Sequence, residues 1–129
     1  MLPLDILLIE DNEGDAIITN ETLKGSRFAI DLFICYNGSS GINYLLEQNG
    51  LSKRPKLILL DRNLPDMDGQ EIIDLLKSSP QWSAIPVFLF VTSKFESEIW
   101  AVNTYRPDYF FTKPLNIALF DEIVAKKLP

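Results

Sequence analysis

Three carboxylates stand directly after two apolar runs of the sequence. Glu10 and Asp11 follow the run 4–9, and Asp61 follows the run 57–60. A short apolar run that stops at turn-forming residues is typical of a strand buried on both faces of a parallel sheet. Ligands of such folds bind at the carboxyl ends of the strands. If the two strands are neighbours, the three carboxylates are expected to meet in one small pocket.

Carboxylates held this close repel one another, and a stable site must offset the repulsion. Like charges about 4 Å apart repel by roughly 4 kcal/mol at an effective dielectric constant near 20. Either one carboxyl group stays protonated because its pKa is raised, or a hard divalent cation binds among the oxygens. Glu10, Asp11 and Glu13 could instead only oppose the dipole of the following helix. The addition of Asp61 to the set favours the metal site.

The composition is typical of one globular domain. The chain has 129 residues, of which 47% are hydrophobic and 23% charged, enough for a single core. The formal net charge of −6 disfavours a nucleic-acid surface. No segment approaches the roughly 20 apolar residues of a membrane span, and the first residues do not resemble a signal peptide. We therefore expect a cytoplasmic protein without membrane or nucleic-acid partners.

The sequence contains no histidine, which restricts the chemistry of any site. Triads of serine or cysteine with histidine are excluded. A zinc site is disfavoured because the chain has one cysteine, Cys35. Cys35 ends an apolar segment and is predicted to be a packed strand residue. Carboxylates, hydroxyls, backbone carbonyls and lysine remain for the chemistry.

Strand-like and helix-like segments alternate along the chain. Strands are predicted over 4–9, 29–35, 57–60, 87–91 and 109–111. Helices are predicted over 12–23, 38–49, about 72–79, 96–102 and from 116 onwards, with Asn12 and Asn116 as N-caps. Five such strand–helix units imply a parallel sheet that is covered by helices on both faces.

A polar or reactive residue follows four of the five predicted strands. These residues are, in order, Glu10 and Asp11, Asp61, Thr92, and Lys113 with Pro114 after it. With this ordered set the chain resembles the receiver domains of two-component response regulators, over residues 4–128. The resemblance implies a flavodoxin-like (βα)5 sandwich with strand order 2-1-3-4-5. It also implies one receiver domain over 1–129 without an output domain, which acts by docking.

The resemblance assigns a role to each matching residue. Asp61 is expected to accept a phosphoryl group from a histidine kinase and to become a 4-aspartylphosphate. Mg²⁺, or Mn²⁺ in its place, is expected to bind Asp11, Asp61 and the backbone carbonyl of Asn63, with Glu10 bound either directly or through a water molecule. The ammonium of Lys113 would contact the phosphoryl group, and a cis bond is expected at Pro114. The protein would promote its own phosphorylation and dephosphorylation without being a turnover enzyme.

Other positions are expected to carry the signal to a partner. The Thr92 hydroxyl would turn toward the phosphoryl group, and Phe110 would swing inward with it. Gly69 is expected to have a positive φ in the loop after the third strand, and Lys94 and Asn63 would tune water access. The connection 78–86 resembles regulators that serve phytochrome-type kinases. A homodimer is predicted through an apolar face of the fourth helix, fifth strand and fifth helix. The aromatic residues expected on this face are Trp100, Tyr105, Tyr109, Phe111 and Phe120. Alternatively, most of these aromatic residues belong to the core.

Three other functions compete with this interpretation. A flavodoxin-like cofactor binder would need a hydroxyl- and glycine-rich loop where this chain has Glu10–Glu13. A haloacid-dehalogenase-like phosphatase would need a second aspartate two residues after Asp61, where Asn63 stands. A receiver-like interaction module that works without phosphorylation is the remaining alternative. The residues of the site, and not the fold, separate these functions.

Overall fold

The computed structural model describes residues 3–48 and 54–128, except for the side chain of residue 94. The predicted helix end at Asn49, the outermost residues of the predicted domain and the expected role of the Lys94 side chain therefore lie outside the described part of the chain. Within the described ranges, none of the helices combines the length and the apolar character that a membrane span requires.

The elements alternate as the sequence pattern predicts. The strands are β1 (Leu4–Ile9), β2 (Ile30–Cys35), β3 (Leu57–Asp61), β4 (Val87–Val91) and β5 (Tyr109–Thr112). The helices are α1 (Glu13–Leu23), α2 (Gly38–Glu47), α3 (Gly69–Ser78), α4 (Lys94–Ile99) and α5 (Ile117–Lys127). The helix predicted over 96–102 is split, because α4 stops at Ile99 and a 3-10 turn, Trp100–Val102, follows it.

The five strands form one parallel sheet in the order β2-β1-β3-β4-β5, which confirms the expected topology. The register of the strands brings the residues that follow them to the same edge of the sheet. Ile9 of β1 pairs with Leu60 of β3, so the residues that follow them, Glu10 and Asp61, lie side by side. Val91 of β4 pairs with Thr112 of β5 in the same way. The next residues, Thr92 and Lys113, therefore leave the same edge of the sheet.

The core has two halves, one on each face of the sheet, because successive strand side chains point to opposite faces. Leu7 and Ile9 belong to the half that is shared with α2 and α3, whereas Ile6 and Leu8 belong to the half that is shared with α1 and α5. Every residue of β4 is buried. Cys35 is 5% exposed and packs in the first half of the core, as the sequence predicts, and burial raises the pKa of its thiol.

Side-chain caps fix where the helices begin. The Asn12 side chain accepts a hydrogen bond from the backbone amide of Asp15, and the Asn116 side chain accepts one from Leu119, which confirms both predicted N-caps. Helix α3 begins with a capping box, in which Asp68 and Glu71 satisfy each other's backbone amides. These caps hold the loops that carry the polar residues at the carboxyl edge of the sheet.

Candidate functional site

The three carboxylates predicted to converge do so. Carboxylate oxygens of Glu10, Asp11 and Asp61 lie within 4.8 Å of one another. Their environments differ, since Glu10 is fully buried, the Asp61 side chain is 14% exposed and Asp11 is exposed. Hence the cluster is open on the Asp11 side and closed beneath Glu10.

Lys113 completes this cluster from the end of β5. Its ammonium lies 2.5 Å from Glu10 Oε1, 3.0 Å from Asp15 Oδ2 and 3.6 Å from Asp61 Oδ2. It also lies 5.6 Å from the centre of the Phe90 ring, which adds a cation–π contact. The peptide bond between Lys113 and Pro114 is cis, as the resemblance implies.

The electrostatics of the cluster follow from this packing. Burial, together with the neighbouring Asp61 carboxylate, raises the pKa of Glu10 to about 7, although the Lys113 ammonium acts in the opposite direction. Burial alone would lower the pKa of Lys113, but its hydrogen bonds to Glu10 and Asp15 raise it. The carboxylates thus stay under-compensated by the single lysine, which is the situation that a divalent cation would relieve.

The donor set fits Mg²⁺ or Mn²⁺, because it consists of carboxylate oxygens at one end of the sheet. Asn63 lies beside it, exposed, with its backbone amide 3.4 Å from Asp61 Oδ1. A cavity of about 230 Å³ opens next to Asp61 and is also lined by Asn63, Thr92 and Lys113. Every residue for which the resemblance implies catalysis or metal binding therefore lies at this edge of the sheet.

The same cavity is lined by two further residues, Arg62 and Glu96, which the sequence pattern does not single out. Glu96 of α4 accepts hydrogen bonds from both the backbone amide and the hydroxyl of Thr92, at 2.5 and 2.6 Å. The Arg62 guanidinium forms an ion pair with the other oxygen of Glu96. Glu96 is buried. In the sequence, the only sign of this contact is that Glu96 follows Thr92 by four residues. That spacing does not predict that the glutamate is buried.

The loop between β3 and α3 is attached to the start of α2. The Asp66 carboxylate accepts hydrogen bonds from the backbone amides of Gly38 and Ser39 and from the Ser39 hydroxyl. These bonds, above all those from Ser39, lower the pKa of Asp66 to about 2. The negative charge of Asp66 also lies at the positive end of the α2 dipole, which stabilises the charged carboxylate.

Gly69 corrects one expectation, since no glycine in the described ranges has a positive φ. Gly69 is the first residue of α3, and its amide donates to the carbonyl of Arg62. A Cβ at this position would lie 3.1 Å from Arg62 Cα and 3.2 Å from Arg62 O. The position therefore favours glycine because a Cβ would press against the Arg62 backbone, and not because of an unusual backbone angle.

The predicted aromatic face is also corrected in part. Trp100, Phe111 and Phe120 are 5%, 3% and 0% exposed, so these three are core residues and cannot form a surface. Tyr105 and Tyr109 are only partly exposed and pack against the core. The large apolar side chains that do reach solvent on α4 and the turn after it are Phe95, Ile99 and Val102. The Phe120 side chain is on the buried face of α5, where its ring contacts those of Phe88 and Phe111.

Comparisons with known proteins find a matching family model and proteins of similar sequence. The family model of the response regulator receiver domain matches residues 6–125. Response regulator Rcp1 of Synechocystis sp. (strain ATCC 27184 / PCC 6803 / Kazusa) is 36% identical over 117 residues, which cover 89% of this chain and 80% of Rcp1.

Two solved structures of similar proteins share the fold. The phosphorylated cyanobacterial phytochrome response regulator RcpA has a TM-score of 0.75 at 31% identity, covering 97% of this chain and 91% of that one. The Mn²⁺-bound form of response regulator Rcp1 has a TM-score of 0.70 at 33% identity, and the match covers 96% of this chain and 91% of the Rcp1 chain.

Proposed function

This chain belongs to the response regulator receiver family of two-component signalling, and we propose that Asp61 is the residue that accepts the phosphoryl group. The observation that carries this assignment is the convergence of Glu10, Asp11 and Asp61 with the Lys113 ammonium at one edge of the sheet. Asp61 combines partial exposure with a cavity beside it. Glu10 is fully buried and lacks that access.

In the proposed reaction an Asp61 carboxylate oxygen attacks the phosphorus of a phosphohistidine on the kinase. The new bond is Oδ–P, and the bond that breaks is N–P, so the histidine leaves and Asp61 becomes an acyl phosphate. Glu10, Asp11, Asp61 and Asn63 would hold a Mg²⁺ or Mn²⁺ ion. When bound, such an ion supplies positive charge next to the phosphoryl oxygens.

Lys113 and Thr92 act on the product of this step. The Lys113 ammonium would pair with a phosphoryl oxygen on Asp61, which its distance of 3.6 Å from Asp61 Oδ2 supports. The Thr92 hydroxyl lines the same cavity and would donate to another oxygen. Phe110 would follow Thr92 inward; this is supported by the open cavity of about 620 Å³ that Phe110 lines together with Trp100 and Tyr105.

The test is intact mass spectrometry after incubation with Mg²⁺ and acetyl phosphate. We expect one phosphate adduct on the wild type, no adduct on Asp61→Asn, and no adduct without the divalent cation. Asp66→Asn is the matched control, because Asp66 is an exposed carboxylate outside the cluster and should keep the adduct. If the wild type stays unmodified while a control receiver is phosphorylated, the phosphorylation-independent interaction module becomes the better description.

The partner of this step is a sensor histidine kinase. We infer a phytochrome-type kinase from the similarity to RcpA, a phytochrome response regulator, and a cytoplasmic location from the nature of that partner. The role is that of a phosphoacceptor and not of an enzyme that turns over an external substrate.

We also propose that the protein forms a homodimer, but through a different surface from the predicted aromatic face. Phe95, Ile99 and Val102 are 71%, 53% and 87% exposed, and they follow one another along α4 and the turn after it. Solvent-exposed apolar side chains grouped in this way favour an interface. This group replaces the buried members of the predicted aromatic face.

A further inference from the structure

Glu96 has an environment that the phosphoryl-transfer step does not explain. It is a buried carboxylate on a short helix, and buried carboxylates are costly unless they are paired. Three groups satisfy it: the Thr92 amide, the Thr92 hydroxyl and the Arg62 guanidinium. Two of these three groups belong to the threonine that is expected to move.

The hydroxyl of Thr92 has one proton to donate. In this structure that proton is directed to Glu96 Oε2, 2.6 Å from the Thr92 oxygen. After phosphorylation, the same proton would have to be donated to a phosphoryl oxygen on Asp61. The two hydrogen bonds exclude each other, so each phosphorylation event must break the bond to Glu96.

From this competition we propose that Glu96 is a positioning residue, which holds Thr92 in the unphosphorylated conformation and thereby sets how readily the chain switches. The inference rests on the proposed function, because it requires the Thr92 hydroxyl to bind the phosphoryl group on Asp61. Hydrogen bonds to an ionised carboxylate are stronger than those between neutral groups. The bond to Glu96 is therefore a substantial competitor for the phosphoryl oxygen.

Arg62 makes this competition reversible. Its guanidinium pairs with Oε1 of Glu96, whereas Thr92 occupies Oε2. When Thr92 leaves, Glu96 keeps a charged partner, so the buried carboxylate is not left unpaired. Arg62 also follows Asp61 directly in the chain and lines the same cavity, which couples the acceptor residue to the holding contact.

Beryllofluoride, which forms a tetrahedral phosphoryl-like adduct with a carboxylate, provides the test. Its dissociation constant in the presence of Mg²⁺ is measured by titration calorimetry for the wild type and for Glu96→Gln. Glutamine keeps the shape of the side chain but offers a neutral acceptor. We expect Glu96→Gln to bind beryllofluoride about tenfold more tightly, since one charge-assisted hydrogen bond no longer has to be broken.

Two controls separate this effect from a general change of charge. Glu98→Gln removes the same charge from an exposed position of the same helix and should leave the dissociation constant within about twofold, because exposed charges interact weakly. In a Thr92→Val background, Glu96→Gln should lose most of its effect, because the competing hydroxyl is gone. A gain of equal size in Glu98→Gln or in the Thr92→Val background would overturn the inference, as would an unchanged or weaker affinity of Glu96→Gln.

A measurement on the wild type covers the case in which the variants fold poorly. The Thr92 hydroxyl donates to Glu96 in the unmodified protein, so the side chain should change its χ1 angle when beryllofluoride is added, which NMR three-bond coupling constants measure. A χ1 angle that does not change although the adduct forms would overturn the inference and leave the proposed function intact. If no adduct forms on the wild type, the proposed function fails, and the role of Glu96 fails with it.

Discussion

The Lys113 ammonium lies 2.5 Å from Oε1 of Glu10, a side chain without solvent exposure. This contact joins the end of β5 to the end of β1, two strands that are separated in the sheet by β3 and β4. It also gives the buried carboxylate its only charged partner of opposite sign among the described ion pairs. The contact is thus both part of the fold and part of the candidate site.

Replacing Lys113 should show how much the contact with Glu10 contributes to the free energy of unfolding. Lys113→Met leaves Glu10 as a buried acceptor without its donor, which should lower the free energy of unfolding by about 1–3 kcal/mol. Lys126→Met is the matched control, since Lys126 pairs with Glu122 on the exposed surface of α5 and should cost no more than about 0.5 kcal/mol. Urea unfolding followed by circular dichroism measures both; equal losses would show that burial of Glu10 does not matter for this pair.

Metal affinity should depend on Asp11 and not on every acidic residue near it. Asp11→Asn removes one charged oxygen from the cluster, and we expect the affinity for Mn²⁺ to fall by about tenfold or more. Glu13→Gln, at the start of α1, changes the local charge equally without removing a member of the cluster. Electron paramagnetic resonance of free Mn²⁺ distinguishes the two variants, and similar losses in both would indicate a diffuse charge effect in place of a site.

The Asp66 contacts predict a dependence of stability on acid. The pKa of Asp66 is lowered to about 2 in the folded protein, mainly by hydrogen bonds from Ser39, and an aspartate in the unfolded chain titrates near 3.9. The charged carboxylate therefore stabilises the fold above about pH 4, and this contribution is lost as the pH falls toward 2. The urea midpoint of Asp66→Asn should be lower than that of the wild type at pH 7, and the gap should shrink in acid.

The control for this comparison is Asp31→Asn, an exposed residue of β2. Its midpoint should follow that of the wild type across the same pH range. A gap between wild type and Asp66→Asn that stays constant down to pH 2 would contradict the role assigned to the Asp66 charge.

The proposed dimer predicts a change of mass on modification. If Phe95, Ile99 and Val102 form the interface, the molar mass from light scattering should double at micromolar concentration when beryllofluoride is bound. Val102→Glu should keep the protein monomeric, because a charge in an apolar interface is costly. Ile17→Glu, on the exposed face of α1, should dimerise like the wild type; a monomer under all conditions excludes this interface.

Much of the site could be predicted from the sequence because it lies where apolar strands stop. The end of a buried strand is marked by a change from apolar to polar residues, and parallel strands bring these ends to one edge. The sequence therefore predicts that Glu10, Asp11 and Asp61 share one pocket, and their carboxylate oxygens lie within 4.8 Å of one another. The N-caps at Asn12 and Asn116 were equally local signals, and both were confirmed.

The differences between prediction and structure concern contacts that depend on how the chain folds in three dimensions. Phe111 and Phe120 are predicted on an apolar interface or, alternatively, in the core. Both contact the ring of Phe88 of β4 and are buried, which confirms the core alternative for these two residues. Gly69 was expected to need a positive φ, whereas the actual constraint is the approach of the Arg62 backbone. For the aromatic residues the deciding contact comes from a distant strand, whereas for Gly69 it depends on how the loop between β3 and α3 folds back on itself.

The sequence by itself determined the alternation of strands and helices and the set of reactive residues at the strand ends, because hydrophobic periodicity and turn residues act locally. The strand order 2-1-3-4-5 was an implication of the resemblance to receiver domains, and the sheet has that order. Only the tertiary structure decided which partner each polar group takes. Lys113 contacts Glu10 more closely than Asp61, and Thr92 donates to Glu96, because packing of the helices against the sheet fixes the directions of these side chains. Partner choice of this kind depends on distances of a few ångströms across elements, which spacing along a chain does not encode.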